Sequence, residues 1–366
     1  MIIPIVLLPA IWRCVMSEPL QIHQAEQALL YINPDCDRDT WFSVAGALKS
    51  EYGDTAWDLF ESWSQQGQNY DKGACRATWR SAKPGHYSIG TLIKLAKDGG
   101  WERAQQQLTA EEKRQLHDEQ QARRKARQAA IEADEARLLV MQEAVAGASQ
   151  TIWDDHTQAM GKSAYLGKKG VGAHGVRFFR NAVLLVIDDQ AQTCEIKLKN
   201  EIREWFSALP SPRPEHISFL MLKSGAIAVP MRDCAGYVWA IQTVNEQGTK
   251  LFPKYSRKKG LFHVLGELDG AELVGFAEGY ATAATAYELG AGWPVVTCFD
   301  SGNMYAVAAE MHGAGLLEGK TPVWLADNDP PNKQTGKRAG QEAANKCQQA
   351  FGGVILTPNF PKKEAA

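Results

Sequence analysis

Four patterns of apolar and polar positions follow one another along the chain. Over residues 20–103 apolar side chains return every three or four positions, in AEQALLYI and in WFSVAGALKSEYG. That is the period of helices with one buried face. Asp54-Thr55 stands where it would cap the next helix, AWDLFESWSQQ. Residues 104–149 lose the stripe. AEEKRQLHDEQQARRKARQAAIEADEARLLVMQEAV has neither Gly nor Pro and is rich in strong helix formers. Opposite charges fall three and four apart. The segment predicts a long solvated helix acting as a linker. Its ARRKAR run could touch phosphate, although a solvated helix face is the plainer reading.

Residues 150–270 mix the periods. VRFFRNAVLLVID, SGAIAVPMRD and GYVWAIQTV predict strands from their β-branched and aromatic content. RDCAGY predicts a hairpin turn, with Gly236 as its permissive residue. From residue 271 the apolar runs AELVGFA, PVVTCF, PVWLA and GGVILTP alternate with helical segments. Buried strands alternating with helices predict a parallel four-stranded sheet with helices on its faces. The expected fold class is α/β. An all-α domain (20–103) and a charged linker (104–149) precede a mixed α+β segment (150–270) and the parallel-sheet domain (271–366). Residues 1–19 form an apolar extension and start region. MIIPIVLLPAIWRCV falls short of the about 20 residues a spanning helix needs, and its basic residue follows the apolar run, unlike a signal peptide. The expectation is that Met16 is the natural initiator and that no stable membrane association occurs.

Composition narrows the function. The chain has 366 residues and a formal net charge of -2, which excludes a protein that coats DNA through a global positive field. Any nucleic-acid contact must use local patches. None of the seven cysteines sits at C-x-x-C spacing, which argues against a zinc ribbon and a disulfide scaffold and for free thiols in a reducing cytoplasm. Trp41, Trp57, Trp63, Trp79 and Trp101 crowd the helical domain. They suit a small core, with base stacking as the alternative. Gly161-Lys162-Ser163 looks like the end of a phosphate-binding P-loop, but His156 stands where that motif needs glycine, so no nucleotide-driven motor is expected.

Two constellations carry chemistry. The tract KLFPKYSRKKG holds Lys250, Lys254, Arg257, Lys258 and Lys259, with Phe252 and Tyr255 interleaved and no acid. Cations with aromatics suit a phosphate backbone and stacked bases, and a solubilising loop is the alternative. Glu278 ends the first run of the parallel-sheet domain, and Asp327 and Asp329 end the third. Sites in open parallel sheets lie beyond the carboxyl ends of strands. The acids can share an ion if those strands are neighbours. Hard carboxylate oxygens favour Mg²⁺ or Mn²⁺, which would offset charge on transferring phosphates. Glu278 could instead be a general acid or base, and the plain alternative is that such acids are helix N-caps.

FAEGYATA and LADNDPPNKQTGKRAGQEAA resemble the Toprim domain shared by bacterial-type primases, topoisomerases and some nucleases. The resemblance implies an acid/base or metal-contact role for Glu278 and a metal role for Asp327 and Asp329. AVPMRDCAGYVWAIQTV and GTKLFPKYSRKKGLFHVLG resemble the basic segment before Toprim in primases of phages, plasmids and integrative elements. This implies that Arg232, Lys250, Lys254 and Lys258 help hold template and nucleotides. WFSVAGALK, FESWSQQ, TWRSAK and SIGTLIKLAKDGGW, within 25–101, resemble the PriCT helical domain of primases. The chain departs from the pattern in the insertion PPNKQTGKR, with Lys333, Lys337 and Arg338. The implied function is a mobile-element DNA primase making short RNA primers from NTPs on single-stranded DNA with Mg²⁺ or Mn²⁺, a replicative helicase being a possible partner. A Toprim nuclease and a non-catalytic replication accessory are the alternatives.

Overall fold

A computed structural model describes residues 20–83, 85–102, 109–290, 292–327 and 338–357. The apolar extension, Asp329, and Lys333 and Lys337 of the insertion lie outside the described residues. The chain divides into two compact units, the first ending at Ala136 and the second beginning at Arg137.

The first unit is helical: α1 (Ile22–Leu29), α2 (Arg38–Tyr52), α3 (Trp57–Ser64), α4 (Lys72–Ser81), α5 (Ile89–Asp98) and the start of α6 (Ala110–Thr151). Asp37 and Asp71 cap α2 and α4 by accepting the N–H of Thr40 and Ala74. Aromatic packing makes the core. Fully buried Phe60 lies 5.3–6.5 Å, centroid to centroid, from Trp41, Trp57, Trp63 and Trp79. Packing would strand the indole N–H groups, and three of the four have an acceptor. Trp41 donates to Ser64 Oγ, Trp63 to the Ile32 carbonyl and Trp79 to Asp54 Oδ1, all at 2.9–3.0 Å. These tryptophans build a core.

The Asp54-Thr55 cap is not formed. Gly53–Ala56 make a 3-10 turn and Ala56 stands at the N-cap of α3. Asp54 turns to Trp79 and to Lys49 at 3.8 Å, while Thr55 Oγ1 donates to the Tyr52 carbonyl. A buried indole N–H has no water to fall back on, whereas an exposed helix start does.

The end of α6 also departs from expectation. Met141, Val145, Ala148 and Ile152, three or four apart, are buried in the core of the second unit together with Trp153. The solvated linker expected over 104–149 therefore stops before Met141. The dense charge earlier in the helix hid this apolar stripe.

The second unit continues with β1 (Thr157–Gln158), α7 (Ala164–Lys169), β2 (Arg177–Phe179), β3 (Val183–Asp188), β4 (Thr193–Leu198), α8 (Asn200–Ala208), β5 (Ile217–Leu222), β6 (Ile227–Arg232), β7 (Val238–Val244), β8 (Lys250–Leu251) and β9 (His263–Leu265). An antiparallel sheet has the order β1-β2-β6-β7-β8, and a smaller one β4-β3-β5. VRFFRNAVLLVID is thus two strands in two sheets, broken at the exposed Arg180-Asn181. The β6–β7 turn uses Gly236 at φ +84°, where Asp233 accepts from the N–H groups of Ala235 and Tyr237.

The chain then alternates through β10 (Leu273–Ala277), α9 (Tyr280–Leu289), β11 (Val295–Thr297), α10 (Ser301–Gly313), β12 (Thr321–Leu325), α11 (Ala339–Phe351) and β13 (Val354–Leu356). The sheet order is β13-β12-β10-β11-β9, parallel throughout except for β9. The fifth, antiparallel strand comes from before residue 271 and was not foreseen. Both faces are buried. Val295, Val323 and Leu325 pack in one core with Tyr280 of α9, and Phe276, Val296 and Trp324 in another with Met304 of α10 and Ala344 of α11. Burial on both faces explains why these strands read as continuous apolar runs.

Candidate active site

The two described acids leave neighbouring strands at the same end. β10 pairs with β12 in parallel, with Ala277 opposite Leu325. Glu278 follows the first at once, and Asp327 follows the second after Ala326. Both are half-buried. Their surroundings are close-packed. Thr282 Oγ1, in the first turn of α9, lies 3.4 Å from Asp327 Oδ1. A Cβ on Gly340 of α11 would come 3.3 Å from the Asp327 nitrogen, and one on Gly279 would come 2.9 Å from Lys250 Nζ. The glycine of the Glu-Gly pair thus leaves room for an ammonium group.

The end of β11 is built differently. Asp300 caps α10 through the Asn303 N–H (2.8 Å) and lies 3.9 Å from Lys258 Nζ. Here the plain N-cap reading of a strand-end acid holds. Phe299, at φ +71°, makes the sharp turn before it and is held by burial. Burial first, then the fields of Cys347, Asp300 and Glu278, push the Cys298 thiol well up, so it stays protonated. Thr297 Oγ1 is buried with no hydrogen-bond partner among the described residues, on the residue paired with Ala277.

Beside Asp327 opens a groove of about 330 Å³, into which Lys168, Lys169, Lys250, Gln247 and Thr282 contribute. Lys168 and Lys169, at the end of α7, were missed in sequence. Their signal in the sequence is faint: two lysines after AYLG, with no motif of their own. A hydrogen-bond network, buried at Tyr280 and exposed at Glu288, fixes the loop after them. Glu288 Oε1 lies 2.6 Å from His174 Nε2 and accepts the Gly172 N–H at 2.6 Å. Tyr280 Oη accepts the His174 N–H (2.7 Å) and donates to the Gly172 carbonyl (2.9 Å). The Gly172 N–H, then His174, hold the Glu288 carboxyl below the usual range. His263 Nε2 is 2.8 Å from the His174 carbonyl, so that nitrogen carries the proton. Burial lowers the His263 pKa to about 4.

The basic tract does not act as a single surface. Of its cations, Lys250 reaches the groove. Lys254 is 3.0 Å from Asp189, which Tyr255 Oη and Arg137 also engage. Arg257 lies 4.6 Å over Trp239, and Lys258 4.8 Å over Phe252. Lys259 is exposed. Arg232 is half-buried over Trp153 at 5.1 Å and donates to the Gly236 carbonyl. The tract lacks acids of its own, but distant segments supply Asp189 and Asp300. Among the described residues no three His, Cys, Asp or Glu gather as a metal site, and Asp329 lies outside them.

Residues 25–96 match the family model described as Primase C terminal 2 (PriCT-2). The matched residues lie within the helical unit, from α1 to α5. The chain is also similar to named proteins. It is 39% identical over 142 residues to a DNA primase TraC of Escherichia coli, covering 38% of this chain and 13% of that protein. A second protein of that name and organism is 38% identical over 140 residues, covering 37% and 10%. The matches thus span about an eighth or less of the length of these curated relatives. Among solved structures, the primase fragment of the bacteriophage T7 primase-helicase protein shares 16% identity at a TM-score of 0.30, over 40% of this chain and 56% of that one. A DnaG primase catalytic domain bound to ssDNA shares 15% at 0.34, over 63% and 75%. Those scores are too low to carry a statement about this fold. Among the described residues, which include the whole PriCT-2 match except residue 84, no helix is long and apolar enough to cross a membrane.

Proposed function

We propose that the second unit is a nucleotidyltransferase and that the chain is a DNA primase of a mobile genetic element, assembling short RNA primers on single-stranded DNA. The observation that carries this reading is the convergence of Glu278 and Asp327, at the ends of adjacent parallel strands, with the lysine-lined groove beside Asp327. The similarity to proteins named DNA primase TraC and the PriCT-2 match support it. In this reading the parallel sheet is a Toprim domain, residues 150–270 are the primase core before it, and a replicative helicase is a possible partner.

The donor set fits a hard divalent cation. Glu278, Asp327 and Asp329 offer carboxylate oxygens, and the nearby Cys298 thiol stays protonated. Mg²⁺ or Mn²⁺ bound there would neutralise charge on the phosphates and favour ionisation of the attacking hydroxyl. The chain's own groups do the rest. Lys168, Lys169 and Lys250 bind the triphosphate of an incoming NTP, an anion that would otherwise be repelled by the acids. Thr282 holds Asp327 in one rotamer. Glu278, if not bound to metal, accepts the proton of the attacking 3′-hydroxyl as general base.

Template-dependent incorporation of labelled NTPs tests the reading. Asp327→Asn is expected to lose about a thousand-fold in rate, since a cation site is worth several kcal/mol, with its melting temperature unchanged. Wild-type protein that makes no product on any single-stranded template, with either cation, would overturn primase activity. Cation-dependent nicking without NTPs would replace it with nuclease activity.

A further inference from the structure

The near balance of charge in the PriCT-2 unit conceals a segregation. From Glu26 to Glu61 there are eight acidic residues and two basic ones, whereas from Lys72 to Lys97 there are six basic residues and no acidic one. The helix α4 holds the dense part. Cys75, Thr78 and Trp79 bury one face. Lys72, Arg76 and Arg80, each four apart, form an exposed stripe along one flank, and Lys83 is exposed just beyond the end of the helix. Successive charges on α4 stand about 6 Å apart along its axis, a spacing that a run of phosphates can match. The next exposed positions are Gly73, Ala77 and Ser81, small and uncharged. A strand could therefore approach the helix closely. Glu61 lies 3.8 Å from Lys72, but that lysine side chain is 72% exposed, so the pair is weak.

We infer that this flank of α4 is a binding surface for the phosphodiester backbone of a nucleic-acid strand, built by the PriCT-2 unit itself. Two guanidinium groups favour phosphate, which they grip in bidentate fashion. A lipid surface fits poorly, because a membrane-seeking helix needs large apolar side chains beside its cations. The surface goes beyond the nucleotidyl-transfer reading and does not depend on it.

The test uses full-length protein in EDTA without nucleotides, so that a failure of catalysis leaves it untouched. Anisotropy of labelled oligo-dT and of a labelled duplex is followed across a salt series. Arg76→Ala with Arg80→Ala should weaken oligo-dT binding about tenfold or more and flatten the log–log salt slope by about 1.4, two contacts at about 0.7 each. Arg76→Lys with Arg80→Lys should restore the slope. Arg203→Ala with Lys223→Ala, which removes the same charge from the other unit, should leave it intact. A larger effect on duplex than on oligo-dT would identify paired rather than single strands as the ligand of the same surface. Unchanged affinity and slope in the alanine pair would overturn the inference. So would an equal loss in the Arg203/Lys223 pair, or binding to phosphatidylserine vesicles that the alanine pair abolishes while DNA binding persists.

Discussion

Two clusters of cations in the α/β unit are used in opposite ways. In the loop from Lys254 to Lys258 each cation is engaged by the protein: Lys254 by Asp189, Lys258 by Asp300 and the face of Phe252, Arg257 by the face of Trp239. In the groove, Lys168, Lys169 and Lys250 come from α7 and β8 and face Thr282 and Asp327. The first arrangement neutralises charge to hold a loop in place. The second gathers like charges, which costs free energy unless an anion arrives to offset it. Cations gathered from separate segments beside a carboxylate make a candidate anion site, a feature that a run of charge in sequence does not by itself establish.

The sharpest way to break this contrast is to remove one cation from each side. Lys250→Met, or Lys169→Met, is expected to lower NTP incorporation about a hundred-fold, the worth of one charge-assisted contact in a shielded site. Lys254→Met should change the rate by less than about threefold and act on stability instead. Steady-state incorporation kinetics and melting curves of the three variants decide it. A greater loss of rate in Lys254→Met than in Lys250→Met would reverse the assignment of the two clusters.

The same contrast explains what could be read from sequence. Glu278 and Asp327 were legible because strand ends are set locally, by an apolar run and the residue that stops it. Their adjacency was not, because the order of β10 and β12 in the sheet is a tertiary fact. Lys254 was legible as a cation but not as a partner of Asp189, 65 residues away. Lys168 and Lys169 had no signal beyond their own charge. The tryptophan-rich core was plain from composition, yet Asp54 was misread as a cap, since nothing in the sequence tells that Trp79 will need its carboxylate. Local chemistry was readable, and pairing across the fold was not.

Acid sharpens the contrast further, because each cluster has its own titrating support. On the groove side, buried His263 donates to the His174 carbonyl in the loop after α7. Burial brings its pKa down to about 4, against an ordinary 6.5. Unfolded chains bind that proton more readily, so stability is full above pH 6.5 and falls as pH drops toward 4. The full effect is a few kcal/mol. Melting temperature measured across that range should fall in wild-type protein and fall less in His263→Gln. Parallel curves would show that another group governs acid sensitivity.

On the loop side the window lies lower and the effect is smaller. Burial works to raise the Asp189 pKa, but the hydrogen bonds from Tyr255 and Lys254, helped by the charges of Lys254 and Arg137, more than offset it and hold the carboxyl below its ordinary 3.8. Its contribution is therefore present above pH 3.8 and lost as pH falls through the depressed value. Lys254 and Arg137 are both nearly half exposed, so solvent screens the pairs and the contribution is about 1 kcal/mol. Asp189→Asn should melt about 2–4 °C below wild type at neutral pH, and the gap should close in acid below pH 3.8. A gap that persists in acid would mean that Asp189 acts through packing and not through charge. Because His263 fails first on acidification, the groove should loosen while the loop still holds. NTP incorporation should then decline at a pH where the Asp189→Asn gap is still at its full size.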